Sequence, residues 1–257
     1  MRQGSWFHRT ECFGPVLGLM RADDLDHAIR IQNDSEFGLT GGIHSLDPGE
    51  IDRWCDQVEV GNAYVNRQIT GAVVQRQPFG GWKRSSVGPG TKAGGPNYVL
   101  QFSRLDDVGS PTVADVEASY RSAWESEFSR EHDPSGLTSE SNVLRYAPVP
   151  RVVVRHDGSD PGALASFEIA ANISGVELEI SNRADVGDDG FATSLRPDDR
   201  VRLIGDVGAV RNRLVERSIW HDSTPPSPHG RVELVKWVRE QAISRTLHRH
   251  GRVSDQG

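Results

Sequence analysis

The chain has 257 residues, a quarter of them charged and 36% hydrophobic, with a formal net charge of −7. That balance fits a globular protein of one or two domains and argues against nucleic acid or an anionic membrane as its partner. Two cysteines, Cys12 and Cys55, are too few for a disulfide framework or a zinc site, and no apolar run approaches the ~18 residues of a membrane span.

The opening MRQGSWFHRTE has no apolar core of the kind a secretory leader carries, so a cytoplasmic location is expected. Residues 15–20, PVLGLM, read as a short strand. Asp23 or Asp24 then caps a predicted helix in which Leu25, Ala28, Ile29 and Gln32 share a face. SEFGLTGGIHS returns to extended chain broken by glycine. Asp47, Pro48 and Glu50 stand at the N-cap, N1 and N3 of a second helix, a capping box with a proline start. Within it Ile51, Trp54, Cys55 and Val58 fall at i, i+3, i+4 and i+7, which makes Cys55 a core residue rather than a nucleophile. GNAYVN follows as a strand, and residues 15–66 thus alternate strand and helix in an α/β pattern.

Residues 77–99, QPFGGWKRSSVGPGTKAGGPNYV, are rich in glycine and proline yet carry Phe79, Trp82 and Tyr98. A flexible linker would leave those rings exposed. GPGTKA, residues 88–93, matches the dinucleotide fingerprint G-x-G-x-x-A. No hydrophobic strand precedes it, however, and Gly94-Gly95-Pro96 cannot open the helix the fingerprint needs. The segment therefore reads as an ordered loop moulded around a ligand, glycine giving close backbone approach and proline fixing the path.

From Pro111 to Phe128 a polar helix carries Val113, Val116, Tyr120 and Trp124 on one face, and EHDPSGLTSESN reads as loop. A second α/β pattern starts at Arg151: RVVVRH a strand, GALASFEIAANIS a helix, VELEIS and RVRLIG strands, GAVRNRLVER a helix, SIWHD a strand. RVELVKWVREQAISRTLH reads as a closing helix. The pattern predicts a small, parallel, Rossmann-like sheet. It divides the chain into residues 1–104, a helical linker over 105–147 and an α/β domain over 148–257. His248 and His250, at i and i+2, point to different sides of a helix, so no metal site is expected. Arg239 and Glu240 read as a solvated or ion-paired helix face. Cys12 lies beside the carboxylate of Glu11, a poor setting for a nucleophile.

ECFGPV at 11–16, EFGLTGGIHS at 36–45, GNAYVN at 61–66 and QPFGGWKRSSVG at 77–88 resemble, in order and spacing, the C-terminal part of the aldehyde dehydrogenase superfamily. NRQITGAVVQRQPFGG with GPGTKAGGPNYV resembles one branch, the L-glutamate-γ-semialdehyde (1-pyrroline-5-carboxylate) dehydrogenases. These occur alone or as the second half of bifunctional proline-utilisation A proteins, and residues 103–257 resemble the additional C-terminal region of the long bifunctional forms. The implied fold is α/β: part of an aldehyde dehydrogenase catalytic domain followed by the small Rossmann-like domain.

The resemblance also implies roles. Glu11 accepts hydrogen bonds from the nicotinamide ribose of NAD, and Phe13 packs near the nicotinamide. Thr70, Gly71 and Ala72 anchor the semialdehyde carboxylate through backbone N–H groups, and Phe79 covers the substrate methylenes. Taken without the family, Glu11 would be a surface carboxylate, Phe13 a buried turn ring, Thr70–Ala72 an ordinary turn and Phe79 a core aromatic.

In this family, oxidation proceeds through a thiohemiacetal on a cysteine, hydride transfer to NAD and thioester hydrolysis aided by a glutamate. Those residues and the nucleotide domain precede the E-x-F-G-P-V motif. The chain is therefore expected to be a C-terminal piece without catalytic residues, inactive alone. Its partners would be the semialdehyde, the missing N-terminal part and further copies of the full-length form, with FAD in a proline dehydrogenase domain if the parent is bifunctional. The alternatives are a non-catalytic assembly remnant or a fragment of another aldehyde dehydrogenase. A sheet cut in this way leaves a parallel edge open. Residues 1–104 alone are accordingly expected to be marginally stable, with 148–250 holding a core of its own.

Overall fold

A computed structural model describes residues 1–86, 88–106, 109–249 and 252–253. Its helices are α1 (Trp6–Arg9), α2 (Leu25–Asn33), α3 (Pro48–Gln57), α4 (Val113–Ala123), α5 (Pro161–Ser174), α6 (Asp188–Ser194), α7 (Val210–Glu216) and α8 (Gly230–Glu233). Its strands are β1 (Phe37–Gly38), β2 (Thr40–Ile43), β3 (Asn62–Val65), β4 (Trp82–Lys83), β5 (Glu140–Pro148), β6 (Arg151–His156), β7 (Glu177–Asn182), β8 (Arg200–Ile204), β9 (His221–Asp222), β10 (Val238–Thr246), β11 (His248–Arg249) and β12 (Arg252–Val253). The backbone packs as two compact units that interleave along the chain. One takes the described residues of 1–96, 132–144 and 241–257; the other takes those of 97–131 and 145–240.

In the first unit, Asp24 caps α2 by accepting from the His27 amide at 2.7 Å. Asp47 caps α3, accepting from the amides of Gly49 at 2.8 Å and Glu50 at 3.4 Å. The expected capping box is only half formed. Glu50 turns to accept from the Ser45 hydroxyl at 2.5 Å, which competes for the carboxylate the box would use. Ile29, Ile51, Trp54, Cys55, Val58, Val60, Ala63 and Val65 form one buried cluster, so Cys55 is core. The strand expected over 15–20 is absent: the segment has no strand partner, and Leu17 is 83% exposed.

The first unit's main sheet runs β2-β3-β10-β5, and β3 lies parallel to both neighbours. Here the structure corrects the sequence reading twice. Residues 231–248 are not one helix but the short α8, a turn and strand β10, and part of the segment read as loop is strand β5. Along β10 the buried positions include Val238, Glu240, Ala242 and Ser244, a period of two. Two of those four side chains are polar, so hydropathy does not reveal the alternation, while Glu, Gln, Ala and Arg favour a helix locally. Tertiary pairing overrides that preference: Ala242 faces Asn62 and donates its N–H to Gly61 O at 2.8 Å. The side of β3 expected to be open is therefore covered. His248 and Arg249 lie in β11, antiparallel to β12, and His250 falls outside the described residues.

The second unit carries the predicted parallel sheet, in the order β7-β6-β8-β9. All six residues of β6 are buried, as befits a central strand covered on both faces. Val153, Val201 and Leu203 pack with Phe191, Leu195, Val210 and Leu214. Thr112 and Asp115 form a reciprocal capping box on α4, which passes into a π turn over Trp124–Phe128. Two buried guanidinium groups are neutralised in place. Arg155 lies 4.7 Å from the Phe191 ring and pairs with Asp188 at 3.0 Å; Arg202 lies 4.5 Å from Phe167 and pairs with Glu233. Helix α6 had no sequence signal: DDGFATS combines weak helix formers with a glycine.

Candidate functional site

Between β3 and β4 the chain folds back on itself through a tight turn. Val73 O accepts from the amides of Arg76 at 3.0 Å and Gln77 at 2.8 Å, while the Val73 amide donates to Gln77 Oε1 at 2.9 Å. Just before this turn lie Thr70, Gly71 and Ala72, all exposed, with Gly71 at φ +83°, a conformation glycine adopts without a Cβ penalty. No described residue accepts a hydrogen bond from the amides of 70–72. Three successive exposed N–H groups without an acceptor among the described residues are free to meet an anion.

Phe79 follows the turn and is fixed at its backbone. Phe79 and Ala93 exchange two N–H···O bonds of 2.9 Å. Asn62, buried in β3, donates to Pro78 O at 3.1 Å and accepts from the Gly80 amide at 3.2 Å, holding the residues on either side of Phe79. Lys92, fully buried, donates to Asn62 Oδ1 at 3.0 Å and also to Gly80 O. Gly61 permits this approach, because a Cβ there would stand 2.0 Å from Gly80 O. The Phe79 ring itself remains 40% exposed. The glycine-rich segment is thus ordered: its fingerprint-like residues end in the Ala93 bridge, and a turn rather than an α-helix follows.

Glu11 and Phe13 belong to the segment after α1, which is tied down by neighbouring residues. Arg9 grips both oxygens of Asp34 at 2.8 and 2.9 Å, and the His8 ring meets Ile31 O at 2.9 Å. Glu11 is exposed, and Phe13 is 94% exposed. No hydrogen bond or ring contact among the described residues links either of them to the 70–79 loop. The structure therefore joins Thr70–Ala72 to Phe79 within one loop and leaves Glu11 and Phe13 on a separate segment of the same unit. Asn62, Gln77 and Lys92 shape the loop but escaped the sequence reading. The only trace of them there is a polar residue set inside an apolar or glycine-rich run.

Two other places invite a ligand. A cavity of about 260 Å³ in the second unit is lined by Glu117, Arg121, Trp124, Glu125, Ile169, Asn172 and Ile173, none of them a sequence-predicted site residue. The second lies where strand order reverses at β6, the position at which open α/β sheets hold ligands. There Asp157 reaches across to accept from the Asp206 amide at 2.7 Å and from the Ser159 amide at 2.9 Å. Hydrogen bonds from the Ser159 hydroxyl, then from those amides, hold its carboxyl down to about 2. The chain sets its own anion in the crevice, an unfavourable neighbour for a phosphate.

Residues 1–108 match the model of the aldehyde dehydrogenase family. The 1-pyrroline-5-carboxylate dehydrogenase of Geobacillus sp. (strain WCH70) is 46% identical over 100 residues, 39% of this chain and 19% of its own length. A protein named 1-pyrroline-5-carboxylate dehydrogenase 1, from Halalkalibacterium halodurans, matches with the same identity and coverage. Proline utilization A from Corynebacterium freiburgense, a solved structure, matches with a TM-score of 0.84 at 43% identity over 97% of this chain and 27% of that one. The chain spans about a fifth of the length of the curated relatives it matches. The expected α/β class and both parts of the resemblance are borne out, the second because the structural match extends well past residue 108.

Proposed function

We propose, from the premise that residues 1–108 are an aldehyde dehydrogenase family segment, that this chain is the C-terminal portion of an NAD-dependent L-glutamate-γ-semialdehyde dehydrogenase. The observation that carries the reading is the run of exposed amides at Thr70, Gly71 and Ala72, without an acceptor among the described residues, with Phe79 fixed at its backbone in the same loop. The amides bind the substrate carboxylate, and the Phe79 ring covers its methylenes. Glu11 and Phe13 fit the nicotinamide riboside half of NAD: a solvated carboxylate suits a ribose diol, and a fully presented ring suits a planar partner. NAD, when bound, supplies the hydride acceptor; what these residues do is bind and orient.

The chain alone is inactive in this reading. Of its two cysteines, Cys55 is locked in the core and Cys12 stands beside the carboxylate of Glu11, a poor setting for a thiolate nucleophile. The division into 1–104, 105–147 and 148–257 belongs to the proposal as one of origin, distinct from how the units pack. FAD, if the parent enzyme also oxidises proline, belongs to a domain outside this chain, and the full-length form is a cytoplasmic homo-oligomer. The main partner of this chain is the upstream polypeptide of the same enzyme. Phe13, Val16, Leu17 and Leu19 favour that, since four apolar side chains in one short segment stand exposed.

NAD reduction with the semialdehyde tests the reading. The chain is assayed alone and then co-expressed with the upstream aldehyde dehydrogenase polypeptide. No turnover in the first case and turnover in the second are expected. Turnover by the chain alone refutes the inactivity, and a silent but folded assembly refutes the substrate.

A further inference from the structure

Three neutral polar side chains lie buried in a row in the first unit: Gln77, Asn142 and Ser244, none more than 2% exposed. Burying such groups is unfavourable unless each finds its partner, and here each does. Gln77 Oε1 accepts from the Val73 amide at 2.9 Å. Gln77 Nε2 donates to Asn142 Oδ1 at 2.7 Å, and Ser244 Oγ donates to the same oxygen at 3.0 Å. Asn142 is itself held, its amide donating to Asp133 Oδ2 at 2.8 Å and its Nδ2 to Ser135 Oγ at 3.2 Å and Glu140 Oε2 at 3.3 Å. The row starts at the turn that closes residues 70–72 and ends on strands β5 and β10. Asn142 and Ser244 thus come from a part of the chain outside the family match at 1–108.

We propose that Gln77, Asn142 and Ser244 form a positioning relay by which β5 and β10 set the carboxylate-anchoring amides of Thr70–Ala72. These three are positioning residues, since none of them touches the substrate. The inference rests on the function proposed above for the 70–72 loop. Without the relay the loop still forms its backbone turn and keeps the Asn62–Pro78 contact to β3, but Gln77, the side-chain acceptor of the Val73 amide, is lost or no longer fixed and the turn loses its link to β5 and β10. Because the members act in series, breaking any one link has the same effect as breaking two.

The test has two arms. In the full chain, exchange of the hydrogen-bonded turn amides of Val73, Arg76 and Gln77 is compared among wild type, Gln77→Ala, Asn142→Ala and the double variant, with Leu203→Ala as a control that weakens only the second unit's core. Exchange at these three amides is expected to rise about tenfold in both singles, no further in the double, and not at all in the control. In the assembly with the upstream polypeptide, KM for the semialdehyde is expected to rise about fivefold to tenfold while kcat holds. Exchange at Val73, Arg76 and Gln77 that matches wild type in Asn142→Ala overturns the relay, as does loosened exchange with unchanged KM or a fall in kcat alone. An inactive wild-type assembly fails the substrate reading instead, and amide exchange by itself then decides for or against the relay.

Discussion

Asp157 shows how a single carboxylate takes over a place where a ligand would sit. Its oxygens accept from two loops, and its pKa falls to about 2. A carboxyl held below its unfolded value, about 3.9, stabilises the fold above that value and loses the contribution as the pH drops towards 2. Asp157→Asn is therefore expected to lower the urea midpoint of unfolding at pH 7, with the gap to wild type closing between about pH 4 and 2. A gap that stays constant over that range refutes the linkage. Gly61 gives a second residue-scale expectation. An added methyl would meet the Gly80 carbonyl, which is backbone and cannot swing aside. Gly61→Ala should cost about 1–3 kcal/mol in thermal or urea unfolding and expose Phe79 further to quenchers. An unshifted midpoint would contradict it. The sequence made Cys55 legible as core, because helical spacing carries that information. It could not reveal Asn62, Lys92, Gln77 or Asn142, since a lone buried polar residue has no period and its meaning depends on partners far along the chain.

At the scale of elements, local chemistry and long-range pairing part company. The caps of α2 and α3 could be read directly, because an N-cap is satisfied within three residues. Strands β6, β7 and β8 could be read as well: β-branched and aliphatic runs between turn residues mark a sheet covered on both faces. Strand β10 could not, because its inward face is partly polar: Glu240 and Ser244 are buried through contacts invisible in one dimension. The assignment of β10 makes a sharp prediction. Ala242→Pro removes the N–H bonded to Gly61 O in a central strand and should destabilise the first unit by about 3 kcal/mol or more. Exchange protection along β3 should fall with it. A helix at this position would instead leave β3 protection untouched.

For the whole molecule, the two units do not follow one another along the chain. The first recruits residues 132–144 and 241–246, so the segment matched by the family model depends on strands encoded far beyond it. Residues 1–104 expressed alone are expected to be marginally stable, because cutting there leaves one side of β3 unpaired. Limited proteolysis of 1–104 beside the full chain checks this, and equal protection of β3 in both would refute it. The reading along the sequence found strands β2, β3, β6, β7 and β8 but could not show the interleaving, since it groups neighbours in sequence and not in space.

The lateness of β10 also bears on how the chain is made. Residues Asn62–Val65 leave the ribosome well before their partners Ala242–Arg245, which lie far along the chain from them. During synthesis β3 must wait with one flank bare, and contacts of such long sequence separation close slowly. Throughout that interval the nascent protein is open to wrong strand partners, and its yield in a cell should track the supply of chaperones that shield growing chains.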